Sequence, residues 1–330
     1  MRHDTIVGPQ GADLIGHPAM RAWAAVMAGA TVPTSITVLQ DKVKSSVFRL
    51  DGMQPARRAV IVKRCPRAEA AVELELYENV LPRIPISALR YYGHLLDDDS
   101  CWLLMEDAGN VPLSLENEVH RALASRWLAV MHTSAALLPA AARLPERGPA
   151  RYLERLRLGR ERIRSAYHNP ALSADERAVL DAVVTLCDVL ESCWHRVEEA
   201  TSLLPTTLVH GDFRPKNARI RTTAHGDELV AIDWETAGWG SPATDLATAR
   251  EYPINLIDVD LYVSMVRAHW PGIGHRALLQ SIQVGRIFRQ IAAIRWATTK
   301  LTTSWPHHAA ASMRVYHANI VQAMDEAGLT

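Results

Sequence analysis

The sequence predicts an α+β chain of two lobes: a small N-terminal lobe on an antiparallel sheet, then a larger, mainly helical C-terminal lobe. Two observations carry this. Up to residue 107, short β-branched runs separated by polar turns surround a single helical stretch; from residue 108 the apolar spacing is helical, interrupted only around two acidic motifs. A chain of 330 residues is long enough for two cores, divided here as 1–107 and 108–330.

Each element has its own signal. "PAMRAWAAVMAG" (18–29) reads as a helix closed by Gly29. "SITVLQ" (35–40), "SSVFRLD" (45–51) and "RAVIVKRC" (58–65) read as a meander of strands. "RAEAAVELELYENVL" (67–81) returns to helical spacing and stops at Pro82 and Pro85. "LRYYGHLL" (89–96) and "CWLLMED" (101–107) make two further strands joined by the turn "DDDS". Long helices follow at 114–138, 150–168 and 173–200; short strands at 206–209, 218–221 and 228–232; then helices at 242–250, 256–268, 275–300 and 307–327.

Composition excludes several function classes. Thirty-six basic residues balance 36 acidic ones, so no global field recruits nucleic acid or an anionic membrane. Cys65, Cys101, Cys187 and Cys193 form no C-x-x-C pair and no zinc-type spacing with histidines, which fits a reduced, cytoplasmic setting. The first twenty residues lack the apolar stretch of a signal peptide, and no run of eighteen apolar residues marks a membrane span. Basic residues are nearly all arginine; the five lysines are Lys42, Lys44, Lys63, Lys216 and Lys300.

Chemistry concentrates in "LVHGDFRPKNARI" (208–220) and "LVAIDWETAGWG" (229–240). Asp212 and Asn217 lie five apart with Pro215 between them, which prevents a regular helix and leaves a loop. An aspartate, an asparagine amide oxygen and a second aspartate, Asp233, are hard oxygen donors suited to Mg²⁺, and Arg214 and Lys216 add positive charge where a phosphate would sit. Isolated Asp–Asn loops usually just cap a turn. Two such motifs in this order, each beside an apolar β-run, are far more specific.

"HGDFRPKN" followed by "IDWE" resembles the signature of aminoglycoside phosphotransferases and their choline-kinase-like relatives, small-molecule members of the protein-kinase-like fold. The resemblance implies a nucleotide-binding lobe at 1–107, and a lobe at 108–330 holding the catalytic loop and acceptor pocket. It implies ATP or GTP as phosphoryl donor and Mg²⁺ as cofactor. By it, Asp212 is the base that contacts the acceptor hydroxyl, Asn217 and Asp233 bind Mg²⁺, and Arg214 stabilises transition-state charge. Lys63 would hold the α- and β-phosphates, oriented by Glu73, which the family spacing to Tyr77 favours over Glu75. The hinge would be "CWLLMEDAG", where the backbone of Met105, Glu106 and Ala108 meets the purine edge. One departure is plain: "LQDKVKSSVFRL" has no glycine, so Ser45 and Ser46 are the candidates for covering the phosphates. His132, His210 and Asp245 are expected to be supports, with Asp245 capping a helix under the catalytic loop.

The function expected from the resemblance is transfer of the γ-phosphate to a hydroxyl of an antibiotic, non-aminoglycosides such as nucleoside-type compounds included. The alternative is a metabolic kinase of choline, a sugar or methylthioribose. A nucleotide-binding regulator without turnover is disfavoured, because Lys63, Asp212, Asn217 and Asp233 are all present. In "QVGRIFRQIAAIRWATTK" (283–300), Arg286, Arg289 and Arg295 stand among Phe288 and Trp296; lining a pocket, that face would suit a neutral or anionic acceptor with a flat ring. Glu251, Asp258 and Asp260 in the same lobe argue the other way.

Overall fold

The computed structural model describes residues 12–42, 44–53, 58–138, 143–247 and 256–329. In chain order it begins with helices α1 (Ala12–Gly16) and α2 (Pro18–Val26), then strands β1 (Ser35–Lys42), β2 (Ser45–Met53) and β3 (Arg58–Pro66). Helix α3 (Arg67–Glu75) and strands β4 (Tyr91–Asp97) and β5 (Ser100–Glu106) follow. Next come α4 (Glu118–Ala135), α5 (Pro149–Ala166), α6 (Ala174–Ser192) and α7 (Trp194–Ser202). Three short strands, β6 (Thr207–Val209), β7 (Ala218–Thr223) and β8 (Gly226–Ala231), precede β9 (Gly238–Gly240). The chain ends in α8 (Ala243–Leu246), α9 (Val259–Val266), α10 (His275–Leu301) and α11 (His307–Glu326).

Two compact units result: Met1–Pro112 with Lys216–Glu235, and Leu113–Pro215 with Thr236–Thr330. The segment 216–235 thus groups with the N-terminal unit, which the sequence division at residue 107 does not foresee. Hydrogen bonds explain it. Ile220 N donates to the Val111 carbonyl at 2.9 Å, Arg221 Nη1 to Glu106 at 2.9 Å, and Ser87 Oγ to Glu228 at 2.7 Å.

In the first unit the sheet is antiparallel throughout, in the order β1-β2-β3-β5-β4. Strand alternation divides β3 between two faces. Val60 and Val62 pack with Leu50, Leu104, Met20 and Trp23 of α2, all buried. Trp23 meets Tyr92 edge-on at 5.3 Å. Lys63, opposite Leu103 of β5, is displaced to the other face, where α3 lies.

The second unit has its main core among α5, α6, α7, α10 and α11, with Phe288, Ile291 and Ile294 of α10 at its centre. Gly159 lets α10 approach α5: a Cβ there would stand 3.3 Å from Ile294 Cγ2. Among the described residues, no helix is long and apolar enough to cross a membrane.

Several helix boundaries differ from expectation for local reasons. The helix expected from 114 starts at Glu118, because Asn117 Oδ1 caps it by accepting from Val119 N and His120 N. The stretch 67–81 is α-helical only to Glu75, then widens into a π-helical turn over Leu76–Val80 before Pro82. The stretch 173–200 breaks at Cys193 into α6 and α7. At 242–250 the helix spans Ala243–Leu246, and residues 248–250 lie outside the described residues, as does Glu251. Strand β9, absent from the sequence reading, pairs with β6; three residues with glycine at both ends give too weak a strand signal.

Candidate active site

Two groups of chemistry-bearing residues form, one in each unit. In the first, Lys63 Nζ stands 2.8 Å from Glu73 Oε2 and 3.1 Å from Asp233 Oδ1. The Glu73 side chain is 2% exposed and the Lys63 side chain 12%. Burial works against the ammonium; the two carboxylates outweigh it and hold the lysine well above its ordinary range. Glu73 also uses its second oxygen: Oε1 accepts from Trp234 N at 3.1 Å. The expected choice of Glu73 is what is found, while Glu69 pairs outward with Lys44 at 3.5 Å and Glu75 accepts from Asn79.

Asp233 follows β8 with φ of 65°, a left-handed conformation that costs a non-glycine residue about 1–2 kcal/mol. The turn is fixed on one side by Glu73 on the Trp234 amide and beneath by the Trp234 ring, 1% exposed. The β7–β8 hairpin sets Asn217 beside it. Ala218 pairs with Ala231, and one step outward the Asn217 carbonyl accepts from Ile232 N at 2.9 Å. Asn217 is 3% exposed, so this hairpin brings a buried amide and a strained carboxylate to adjacent positions.

In the second unit β6 delivers His210, Gly211 and Asp212. Their backbone is gripped by Asp245, which is fully buried: Oδ2 accepts from His210 N at 2.7 Å and Oδ1 from Gly211 N at 2.8 Å. Asp245 thus anchors the loop directly, rather than capping a helix beneath it as expected. Burial pushes its carboxyl up, but the bond and charge of His132 (Nε2 at 3.4 Å) and the backbone donors win and lower it below the ordinary value. His132 in turn contacts Tyr262 Oη through Nδ1 at 2.8 Å. Both histidines are 0% exposed, which fits the support role read from the sequence. Gly211 is required: its φ is 78°, and a Cβ would stand 2.4 Å from the Thr236 carbonyl oxygen.

Side chains after Gly211 divide sharply. Phe213 turns inward, 0% exposed and stacked on Trp127 at 5.5 Å. Asp212 is held side-on by Arg214, with Nε 2.6 Å from Oδ1 and Nη2 2.6 Å from Oδ2. Arg289 of α10 adds a third contact. Its Nη2 donates to the Phe213 carbonyl at 2.6 Å and its Nη1 lies 3.9 Å from Asp212 Oδ1. Burial lowers the Arg289 guanidinium and the Arg214 charge adds to this, against the attraction of Asp212. This role of Arg289 was not legible in the sequence, which offered only its place on an arginine-rich helix.

Other candidates fall elsewhere. Ser45 and Ser46 lie in the β1–β2 hairpin, where Ser45 Oγ accepts from Gln40 at 2.7 Å and Ser46 Oγ donates to Asp41 at 2.8 Å. Met105 is buried beneath Tyr77, whose hydroxyl points to Sδ at 3.9 Å. The Glu106 amide donates to the Arg90 carbonyl at 2.8 Å and its carboxylate binds Arg221 at 2.9 Å. Ala108 is buried. The expected arginine–aromatic face on α10 is not one surface: Phe288 is core, Arg289 turns to the Asp212 loop, Arg286 pairs with Glu326, and Trp296 is 70% exposed. Asp258 caps α9, and Asp260 faces His275 at 2.9 Å.

Comparisons with known proteins bear on the family and the fold. Residues 35–278 match the profile of the phosphotransferase enzyme family. No curated protein sequence matches the chain. Among solved structures, a variant of aminoglycoside 2'-phosphotransferase-IIIa bound to GDP is similar with a TM-score of 0.63 at 14% identity, covering 92% of this chain and 97% of that one. The microcompartment-associated aminopropanol kinase gives 0.63 at 14%, over 93% and 98% of the two chains. Choline kinase from Cryptosporidium parvum Iowa II gives 0.58 at 10%, over 89% and 91%. These likenesses establish the protein-kinase-like fold, a five-stranded antiparallel lobe and a helical one. With a profile match over most of its length, the chain belongs to the phosphotransferase enzyme family and is a kinase that acts on alcohol groups.

Proposed function

We propose that this protein transfers the γ-phosphate of ATP or GTP to a hydroxyl of a small molecule, with an antibiotic as the leading acceptor class. The observation that carries the reading is Lys63 held charged between Glu73 and Asp233. A lysine kept ionised in a largely buried place, oriented by a carboxylate that itself bonds the Asp233–Trp234 turn, is what nucleotide phosphates require. Asp212 is assigned as base. The acceptor oxygen bonds to the γ-phosphorus, the bond to the β–γ bridging oxygen breaks, the electron pair leaves with the nucleoside diphosphate, and the hydroxyl proton passes to Asp212.

Arg214 occupies both oxygens of that carboxylate. We assign it to the γ-phosphate in the working state, so that the nucleotide draws the guanidinium away and uncovers the base. Ser45 and Ser46 are assigned to shaping the hairpin, and Met105, Glu106 and Ala108 to the base-binding segment.

The donor set suits Mg²⁺. Among the described residues there is no cluster of three or more His, Cys, Asp or Glu, yet this ion characteristically takes one or two carboxylates and fills its shell with water and phosphate. The adjacent Asn217 amide oxygen and Asp233 carboxylate would hold it, and it would supply positive charge to the phosphate oxygens.

A small-alcohol metabolic kinase is the second reading, favoured by the fold match to an aminopropanol kinase at the same TM-score as the aminoglycoside enzyme. Incubation with ATP or GTP, Mg²⁺ and a panel of antibiotics and metabolites, followed by mass spectrometry for one added phosphoryl group, tests both. Asp212→Ala should abolish the product; unchanged turnover would remove Asp212 from its role.

A further inference from the structure

Helix α5 carries arginines on two faces with opposite surroundings. Arg157, Arg160 and Arg164 are neutralised by α6: Arg157 reaches Glu191 at 2.7 Å, Arg160 reaches Glu191 at 2.6 Å and Asp188 at 2.7 Å, and Arg164 reaches Asp188 at 3.5 Å. Arg151, Arg155 and Arg162 share the other face, at helical steps of four and seven. Arg151 pairs with the exposed Glu154, whose charge also favours the Arg155 cation. Among the described residues, neither Arg155 nor Arg162 makes an ion pair or a side-chain hydrogen bond, and neither does Arg295 of α10. Arg155 lies over the Tyr152 ring at 5.5 Å.

Helices α5 and α10 meet beside these cations. Gly159 lies between Arg155 and Arg162 on α5 and admits Ile294, the neighbour of Arg295. Burial lowers Arg295, and the charges of Arg162, Arg155 and Arg151 lower it further; Arg147 is lowered by burial and then by Arg155. All stay protonated at neutral pH. Half-buried guanidiniums that repel one another are costly unless something anionic joins them.

The cluster also adjoins the Asp212 loop by two routes within the same unit. Tyr152, under Arg155, stacks on Phe288 at 4.0 Å, and the next residue is Arg289, which holds Phe213 and faces Asp212. Arg147 Nε donates to the Ala237 carbonyl at 3.2 Å, next to Gly238, which pairs with Val209 at the entry to the loop.

We infer that Arg147, Arg151, Arg155 and Arg295 form a subsite for an anionic group of the acceptor, so that the substrate is a hydroxyl compound bearing a carboxylate or phosphate. This rests on the phosphotransfer reading above and narrows it: a polycationic acceptor is disfavoured. Guanidiniums offer paired donors to a carboxylate or phosphate, and the buried Tyr152 ring beneath Arg155 props that side chain.

The experiment has two arms. In the first, matched acceptors differing only in charge (gluconate, glucose and glucosamine; a nucleoside 5'-monophosphate, its nucleoside and an amino-nucleoside) are compared with ATP or GTP as donor. The anionic member should have the highest kcat/KM. Arg155→Gln and Arg295→Gln should each raise its KM by about ten-fold or more, with kcat nearly unchanged. Equal or better turnover of the neutral or cationic members overturns the inference. In the second arm, sulfate is titrated at constant ionic strength against chloride while Tm is followed. Wild type and Arg164→Gln should gain several degrees and the Arg155→Gln/Arg295→Gln double variant should lose most of that gain, though it starts from a higher Tm through relief of repulsion. Equal gains in wild type and double variant overturn the inference. The sulfate arm needs no turnover, so a chain that transfers phosphate to nothing defeats the phosphotransfer reading while the subsite is still decided.

Discussion

The two groups of candidate residues, one in each unit, order their charges by different means. Around Lys63 the charged groups order one another: ammonium, Glu73 and Asp233 form a chain of direct contacts, closed through the Trp234 amide. Around Asp212 the backbone is held by the buried Asp245 on two successive amides, and the Asp212 carboxylate is covered by Arg214 and flanked by Arg289. On the proposed roles the contrast has a use: rigid mutual pairing suits a group assigned to a bound phosphate, and a fixed backbone with an exchangeable partner suits a group assigned to proton transfer.

The largest effects should come from cutting each half at its functional group. Asp212→Ala should lower phosphoryl transfer by about 10³-fold, the usual contribution of a positioned base. Nucleotide affinity, followed by calorimetry, should stay within a few-fold; a parallel loss of affinity would merge the two halves and break the contrast. Lys63→Ala should act oppositely, raising the KM for nucleotide together with a fall in kcat of roughly 10²-fold, because it removes phosphate contact and leaves Glu73 buried without its cation.

Stability should separate the halves as well. Asp245→Asn replaces one of two accepting oxygens by a donor facing a backbone amide, and should cost about 3 kcal/mol in denaturant unfolding. The pH dependence follows from its lowered carboxyl. A depressed folded value adds stability that is complete above the unfolded value of 3.8 and is lost as pH falls through the folded one, so the wild type should lose stability in acid where the asparagine variant changes less. Gly211→Ala should cost less, about 2 kcal/mol, through positive φ and the contact with the Thr236 carbonyl, with a fall in kcat as the loop shifts. Full activity in that variant would show that the loop backbone need not be fixed.

What the sequence disclosed and what it hid follow the same division. The Lys63–Glu73 pair and the neighbouring positions of Asn217 and Asp233 could be anticipated because two short motifs and the family spacing they suggest are local, and local patterns survive in a linear string. The five strands of the first sheet were legible for the same reason. The contacts of Arg289 and Arg147 were not, since they reach the loop after β6 and the Ala237 carbonyl, and nothing in the local sequence names those partners. The arginines expected among Phe288 and Trp296 do not make one surface for the same reason: α10 is packed against several elements, so its arginines serve different neighbours. The surprise at Asp245 is of the same kind, a short helix whose carboxylate is spent on a strand end thirty-odd residues earlier.

The smallest expected effect sharpens the contrast at its edge. Because Ser46 donates to Asp41 across the β1–β2 hairpin and Ser45 accepts from Gln40, neither hydroxyl needs to reach a phosphate for the hairpin to keep its shape. Ser46→Ala should therefore change the KM for nucleotide by less than about three-fold and stability by less than about 1 kcal/mol, the worth of one exposed hydrogen bond. A much larger rise in KM with unchanged stability would mean that the hydroxyl leaves Asp41 when nucleotide binds. The hairpin would then share the exchangeable pairing of the Asp212 loop rather than the fixed pairing of Lys63.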